Sequence, residues 1–428
     1  MDKQDIKVQA RPKGLFYGWI IIGACYLMVF TVMASFYSFG VFFKPMSGEF
    51  GWSRAQTSLA VSINLMTGAF FSLLAGRLVD KYKPRNIMIA CAVLSGISYM
   101  LMPRVSGLGQ FYLLYGFVLG VAMSANYVIP SVLVNRWFVK KRGLGLGLVF
   151  ASFGTAQMIA PPLAAALIDT LGWRQMYVYM GIIVFVITAV SALFLRGSPE
   201  EMGLLPDGGS GGKARPEAGP SGHGSKKAVQ GLTILETVRT PAFWLISVLW
   251  LFMAFPVYMI VVHLIPYSTD VGISVVAAAS IMTAAGMANI AGRVGLGHFS
   301  DKFGARRILL VSFVLIVLGL LLLIKARGLL AFYVSVVLVS AFLNGGDTVV
   351  IKVLGDMFGM KSLGFIVGFT SLAWRLGASS GAYLAGVFFD ITNSYAVIFS
   401  LAALAIYVCF ILTFFIFGKK PAPAPAAG

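Results

Sequence analysis

Four charged residues, Arg293, Asp347, Lys352 and Arg375, lie inside stretches of the chain that are otherwise almost wholly apolar. Guanidinium groups keep their charge at any ordinary pH and grip a carboxylate through two parallel hydrogen bonds. A carboxyl group among them is the natural proton carrier, because protonation changes the local charge by one. Two arginines and one ionised aspartate leave one spare positive charge, suited to one small carboxylate, and protonating Asp347 leaves two. Burying a charge at the centre of an apolar helix costs roughly 2.5–3.5 kcal/mol, so each of these residues needs a reason to be there.

The elements that hold them must be long apolar helices. Of 428 residues, 59% are hydrophobic and only 11% charged, far below the roughly 25% charge of soluble domains. Apolar runs of about 20 residues, each long enough to cross a bilayer core, are read at 17–43, 57–79, 86–103, 108–136, 143–168, 173–196, 240–265, 277–299, 306–325, 329–356, 364–388 and 396–417. The expected fold is all-α and membrane-spanning, with twelve helices in two six-helix halves. Arg293 lies eight residues before Asp301, Asp347 eleven before Phe358, and Arg375 eleven after Gly364. At about 1.5 Å per residue these three fall ~12–16 Å into their helices, near the midplane. Lys352 is shallower and has Asp356 one turn on, which gives an i,i+4 salt bridge or, alternatively, a role in the substrate path.

The second half repeats the first 221 residues on. Asp80 recurs as Asp301, Glu49 as Asp270, Gly51 as Gly272, Gly147 as Gly368 and Asp169 as Asp390. One unit was duplicated, and the charges are what fails to repeat. Ser72, Asn126, Ser131 and Gly154 stand opposite Arg293, Asp347, Lys352 and Arg375. Domain organisation follows: 1–16 an N-terminal segment, 17–196 and 240–417 the two bundles, 197–239 a Gly-, Pro- and Ser-rich linker, 418–428 a tail.

The net charge of +18 does not mark nucleic acid, because its placement is that of a membrane protein. Lys81, Lys83 and Arg85, Arg136 to Arg142, and Lys302 to Arg307 all fall on the side of the linker and termini. The positive-inside rule puts that side in the cytoplasm, in a plasma membrane of the bacterial inner-membrane type. The first apolar run is expected to be an anchor rather than a cleaved leader. Cys25, Cys91 and Cys409 sit in apolar runs, so neither disulfide nor metal is expected. No nucleophile–base pair, phosphate loop or soluble domain points to an enzyme. No cofactor is expected, and the chain is expected to act as a monomer.

The two copies of Gly-x-x-x-Asp-Lys resemble the signature loops of the major facilitator superfamily. One is Gly297, Asp301, Lys302, Gly304, Arg306 and Arg307; the other is Gly76, Asp80 and Lys81, with Lys83 where a glycine is usual. Within that superfamily the chain resembles monocarboxylate transporters and oxalate–formate antiporters. Tyr17-Gly18-Trp19, the run Tyr37 to Lys44, Phe50-Gly51-Trp52-Ser53-Arg54, Trp137-Phe138 and Arg239-Thr240-Pro241 carry this resemblance. It implies that Arg293 binds the substrate carboxylate. Asn289 stands where mammalian members have an aspartate tied to proton coupling, and Thr370 where the oxalate transporter has a lysine, while the charge here is Arg375.

The expectation is a secondary transporter of small monocarboxylates, lactate- or pyruvate-like, coupled to protons by alternating access. Arg293 and Arg375 are expected to bind substrate, the alternatives being a structural ion pair of Arg293 with Asp347 and an Arg375 that only neutralises Asp347. Asp347 carries the proton, and Asn126 and Tyr127, then Tyr37, Asn64, Gln157 and Asn289, complete the cavity. His263 is either a coupling group or a satisfied interfacial histidine; Asp270 is a further candidate for proton coupling and, with Glu49 at the outer helix ends, for a gating or capping role. A carboxylate antiporter and a non-transporting sensor are the alternatives.

Overall fold

The computed structural model describes residues 16–208, 232–359 and 363–418; the side chains of Asp80, of residues 363–365 and of Gly418 lie outside the described residues. Among the described residues every regular element is helical. Among the described residues twelve helices are long enough to span, counting 142–193 as two helices divided at Gly172. They are α1 (Tyr17–Phe50), α2 (Arg54–Lys81), α3 (Pro84–Leu101), α4 (Leu108–Trp137), α5 and α6 (142–171 and 173–193), α7 (Pro241–Asp270), α8 (Val275–Phe303), α9 (Ala305–Ile324), α10 (Leu329–Phe358), α11 (Leu363–Thr392) and α12 (Ala396–Gly418). Helix α1 runs seven residues past the expected end at 43, carrying Lys44 and Glu49 with it, and a lone turn at Ser38 interrupts it. Helices α4 and α5 stay helical through Pro130 and through Pro161 and Pro162, rather than breaking there.

The duplication is visible in the backbone. Gly51 and Gly272 both take left-handed angles (φ +65° and +89°) before Ser53 and Ser274 open the next helices. The Ser53 hydroxyl accepts from the Gln56 amide at 3.2 Å, and the Ser274 hydroxyl from the Ala277 amide at 3.3 Å. These are N-caps satisfying the free amides of a helix start. Gly172, which separates α5 from α6, has φ +69°, and its repeat mate Asn393, between α11 and α12, has φ +52°. The signature loops differ for a local reason. Gly304 is left-handed (φ +86°), whereas Lys83, its mate, stays extended at φ −61°.

Helices pack within each set, α1 on α5, α3 on α6, α7 on α11, α8 on α10 and α9 on α12. Between the sets, α2 meets α11 and α5 meets α8. The buried apolar residues form two clusters. The larger holds the Phe36-to-Met46 part of α1 together with residues of α7, α8 and α10 to α12. The smaller holds Ile21 to Val29, Val79, Met88, Trp137 and Val149, all from the first six helices. The two sets are thus fused toward the end of the bundle away from the linker. At the linker end the first six helices close on themselves. Apolar side chains such as Leu404 and Phe415 lie exposed on the outer faces, as a lipid-facing surface requires.

Candidate substrate site

Arg293 projects from α8 and Asp347 from α10, with Nη2 to Oδ2 at 3.8 Å. The guanidinium is held by its neighbours more tightly than by the aspartate. Its Nε donates to Asn289 Oδ1 at 3.0 Å, one turn earlier on α8, and its Nη2 to Asn344 Oδ1 at 3.3 Å on α10. Asn289 reaches on across the seam, donating to Gln157 Oε1 of α5 at 3.4 Å. Tyr37, Gln157, Asn289 and Asn344 share a small pocket beside this chain of bonds. The other oxygen of Asp347 is taken too, since the Trp250 indole of α7 donates to Oδ1. Sequence reasoning missed Trp250 and Asn344. Tryptophan in a membrane helix reads as packing, and a donor is recognised only once its acceptor's position is known.

Arg375 differs. Among the described residues no hydrogen bond or ion pair reaches its guanidinium. Gly68 of α2 makes room for it, since a Cβ there would lie 3.1 Å from Nη1. Tyr258 and Tyr127 are its electrostatic neighbours. Tyr127 is an electrostatic neighbour of Asp347 and Arg293 as well, half exposed and stacked on Phe150 with ring centroids 4.7 Å apart. Arg293, Arg375, Asp347, Tyr127, Tyr37, Gln157 and Asn289 therefore come together from both sets of helices.

Other expected residues lie elsewhere. Asn126 is buried with its Nδ2 on the Ala122 carbonyl at 3.4 Å and its Oδ1 without a partner. Asn64 donates to the Tyr115 carbonyl at 2.9 Å and ties α2 to α4. Thr370 bonds the Ile366 carbonyl of its own helix at 2.7 Å. Lys352 pairs with Asp301 of α8 rather than with Asp356, because helix packing brings the signature carboxylate within reach of its ammonium. Lys302 and Arg306 lie over the Phe303 and Phe414 rings at 5.3 and 5.2 Å, and Lys81 over Tyr82 at 5.6 Å. The Asp80 side chain lies outside the described residues.

His263 and Asp270 belong to a second cluster at the far end. Asp270 pairs with Lys44 of α1 at 2.6 Å and with Arg54 of α2 at 2.7 Å. Arg54 lies over the Phe389 ring, 3.6 Å from its centroid, and donates to the Tyr395 hydroxyl. His263 Nε2 is 2.9 Å from the Ala382 carbonyl and Nδ1 is 3.0 Å from that hydroxyl. A carbonyl only accepts, so Nε2 carries the hydrogen and Nδ1 accepts from Tyr395. Neutral His263 thus has both nitrogens satisfied. The sequence placed Asp270 at a gate but did not give Arg54 or Tyr395 as its company.

The family profile of the Major Facilitator Superfamily matches residues 25–300 and again 254–428. An uncharacterized MFS-type transporter of Escherichia coli, YhjX, is 22% identical over 77% of this chain and 78% of its own length. The oxalate:formate antiporter of Oxalobacter formigenes is 24% identical over 80% and 78%. Monocarboxylate transporter 13 of Bos taurus is 23% identical over 92% and 88%. Among solved structures, a bacterial homologue of the human lysosomal transporter Spinster, in an inward-facing and unoccupied conformation, superposes with a TM-score of 0.75 at 15% identity. That superposition covers 97% of this chain and 100% of the other. The duplicated helices, the cross-set cluster of polar side chains and the double match of the family profile lead to one assignment: this chain is a membrane transporter belonging to the major facilitator superfamily.

Proposed function

We propose that this transporter carries a small organic monocarboxylate together with a proton by alternating access. The observation that carries the reading is the charge arrangement between the sets. Arg293 is shared with Asp347, whereas Arg375 has no anionic partner among the described residues. That leaves one uncompensated positive charge, fit for one carboxylate. Arg375 takes the anion first, and Arg293 joins it when Asp347 is protonated. Tyr127 and Tyr37 complete the cavity from the first six helices. In this reading residues 17–196 and 240–417 rock as two monomeric half-bundles, with 1–16, 197–239 and 418–428 in the cytoplasm of a bacterial inner membrane. The Asp270 network is the gate on the far side, and Asp80 and Asp301 with their basic neighbours are the latches on the near side. The resemblance to monocarboxylate carriers among the relatives supports the substrate class.

The test is uptake of labelled L-lactate into proteoliposomes, acid outside, with and without a protonophore. Accumulation that collapses with protonophore is expected, and Arg375→Gln is expected to abolish it. Uptake that ignores the pH gradient but needs a carboxylate inside would make the protein an exchanger. The two guanidinium groups on α8 and α11 favour that second reading for a dianion. Saturable binding without flux would make it a sensor.

A further inference from the structure

The hydrogen bond that sequence reasoning missed bears on how a proton and an anion are linked. Trp250 is 4% exposed and its indole N–H is a donor only, with no acceptor capacity and no titration. It points at Oδ1 of Asp347. Arg293 faces the other oxygen, Oδ2, at 3.8 Å. A carboxylate so held is asymmetric: one oxygen is committed to a neutral, permanent donor, and the other to a cation that also has alternative acceptors in Asn289 and Asn344.

We propose that Trp250 is a positioning residue that directs the coupled proton to Oδ2 of Asp347, so that taking up the proton necessarily frees Arg293. This deepens the transport reading above and rests on it. A neutral carboxyl has one O–H donor and one carbonyl oxygen that still accepts. A proton on Oδ1 would set an O–H against the Trp250 N–H, leaving a buried donor without an acceptor. A proton on Oδ2 leaves Oδ1 as the carbonyl oxygen, and the indole bond survives. The same proton sets an O–H against the Arg293 donors, which also cannot accept. The ion pair is lost, and the guanidinium keeps only the two neutral asparagine oxygens. The positive charge is then uncovered beside Arg375, where the substrate carboxylate is to bind.

Among the described residues few charged or titratable groups face Asp347. Arg293 faces it from α8 and Tyr127 from α4. Beside it on α10, a Cβ on Gly346 would meet only the apolar side chains of Met253 and Leu309, at 3.1 and 3.9 Å. Arg375 of α11 faces Tyr127 and Tyr258 instead. With phenylalanine at 250 the proton is free to settle on Oδ1, Oδ2 continues to accept from Arg293, and proton uptake no longer releases the cation.

The test compares wild-type, W250F, W250Q and D347N transporters in proteoliposomes, with two readouts. In W250F, equilibrium exchange of labelled L-lactate is expected to persist at a reduced rate, because Arg375 still takes the anion and the aromatic packing is kept. Accumulation driven by one pH unit, ideally about tenfold at one proton per substrate, is expected to fall by more than half. W250Q, which keeps an N–H donor, is expected to recover part of it. The second readout is the infrared C=O stretch of protonated Asp347, assigned by its loss in D347N. The indole holds this band at low wavenumber, and it is expected to move up in W250F. Full accumulation in W250F with an unmoved band would overturn the proposal and leave symport standing. Loss of exchange in both W250F and W250Q with an unmoved band would overturn it too, by making Trp250 a packing residue. A wild type that does not accumulate lactate would sink the symport reading itself, and this proposal with it.

Discussion

The two seams that join the helix sets, α2 with α11 and α5 with α8, are copies of one another that have come to rest differently. At mid-depth they make the same bond. Ser62 of α2 donates to the Ser379 carbonyl of α11 at 2.7 Å, and Thr283 of α8 donates to the Met158 carbonyl of α5 at 2.8 Å. Both partners are related by the 221-residue offset. Toward the far end the seams part. Asp390, at the end of α11, accepts from the Arg54 and Ala55 amides at 2.9 and 2.8 Å and caps α2 across the seam. Its mate Asp169, at the end of α5, is exposed and makes no bond among the described residues. Between it and Val275, the mate of Arg54, lies a cavity of about 260 Å³ also lined by Lys44 and Trp173.

Side-chain volume explains the difference. Gly386 lets α11 touch α2 so closely that a Cβ there would lie 2.6 Å from the Ala55 nitrogen. The corresponding position on α5 is Ala165, and Val276 replaces Ala55. One seam is therefore zipped to its end while the other stops short. In the alternating-access mechanism proposed above, the halves would begin to part at the seam that fewer bonds hold.

The closed seam is most sensitive at Gly386. In Gly386→Val the new side chain meets backbone that cannot give way, and overpacking of this kind costs about 1–3 kcal/mol. Transport is expected to fall roughly tenfold or more, and a cysteine placed at Ser379 is expected to react with an impermeant maleimide from the far side. The three native cysteines are buried, so their background is low. If the Ser379 cysteine stays protected, the zipped seam is not held by this contact.

A smaller effect is expected from the two aspartates. Asp390→Asn removes a charged acceptor of two amides, worth about 1.5–3 kcal/mol for hydrogen bonds to a charged group, and is expected to raise the same labelling several-fold. Asp169→Asn is expected to leave it unchanged. Equal effects would mean that the seams exchange roles during transport faster than labelling. Next in size is Arg54→Lys, which keeps the charge but loses the planar face on Phe389 and the fork between Asp270 and Tyr395. A double-mutant cycle with Asp270→Asn is expected to give a coupling of about 1 kcal/mol, weaker in high salt.

The smallest effect lies at the linker end. Asp207, at φ +60°, caps the turn before α5 by accepting from the Val139 and Lys140 amides at 3.0 and 2.6 Å. Partial burial pushes its carboxyl up, but the amides of Lys140, Val139 and Lys141 and the Lys140 charge outweigh this and hold it below its ordinary value. A depressed carboxyl contributes stability above its unfolded value, about 3.9, and loses it as pH falls through the lower folded value. Asp207→Asn is expected to flatten the acid limb of thermal unfolding below about pH 4 and to leave the far-end labelling untouched.

Helix number, the duplication and the intramembrane charges were legible in the sequence, because bilayer thickness sets segment length and desolvation makes a buried charge conspicuous. Arg293, Asp347 and Arg375 were found by that cost, and Asp270 by its repeat mate Glu49. Asn126 was expected in the cavity as a polar group of the fourth helix, and its amide bonds the Ala122 carbonyl of that same helix. Identity of register fixes depth but not which neighbour has moved. Lys352 illustrates the same gap, since i,i+4 spacing to Asp356 is local and the Asp301 carboxylate reaches it only through packing.

What the chain alone determined was the set of groups with chemistry and their depth, since those follow from periodicity and the energy of burial. The tertiary structure decided their pairing: Trp250 on one oxygen of Asp347 and Arg293 on the other, Arg375 against Gly68 with no ion pair among the described residues, one seam closed and its copy open. Pairing depends on distances between helices, and those are set by the volumes of residues such as Gly386 and Ala165, which carry no chemical signal of their own.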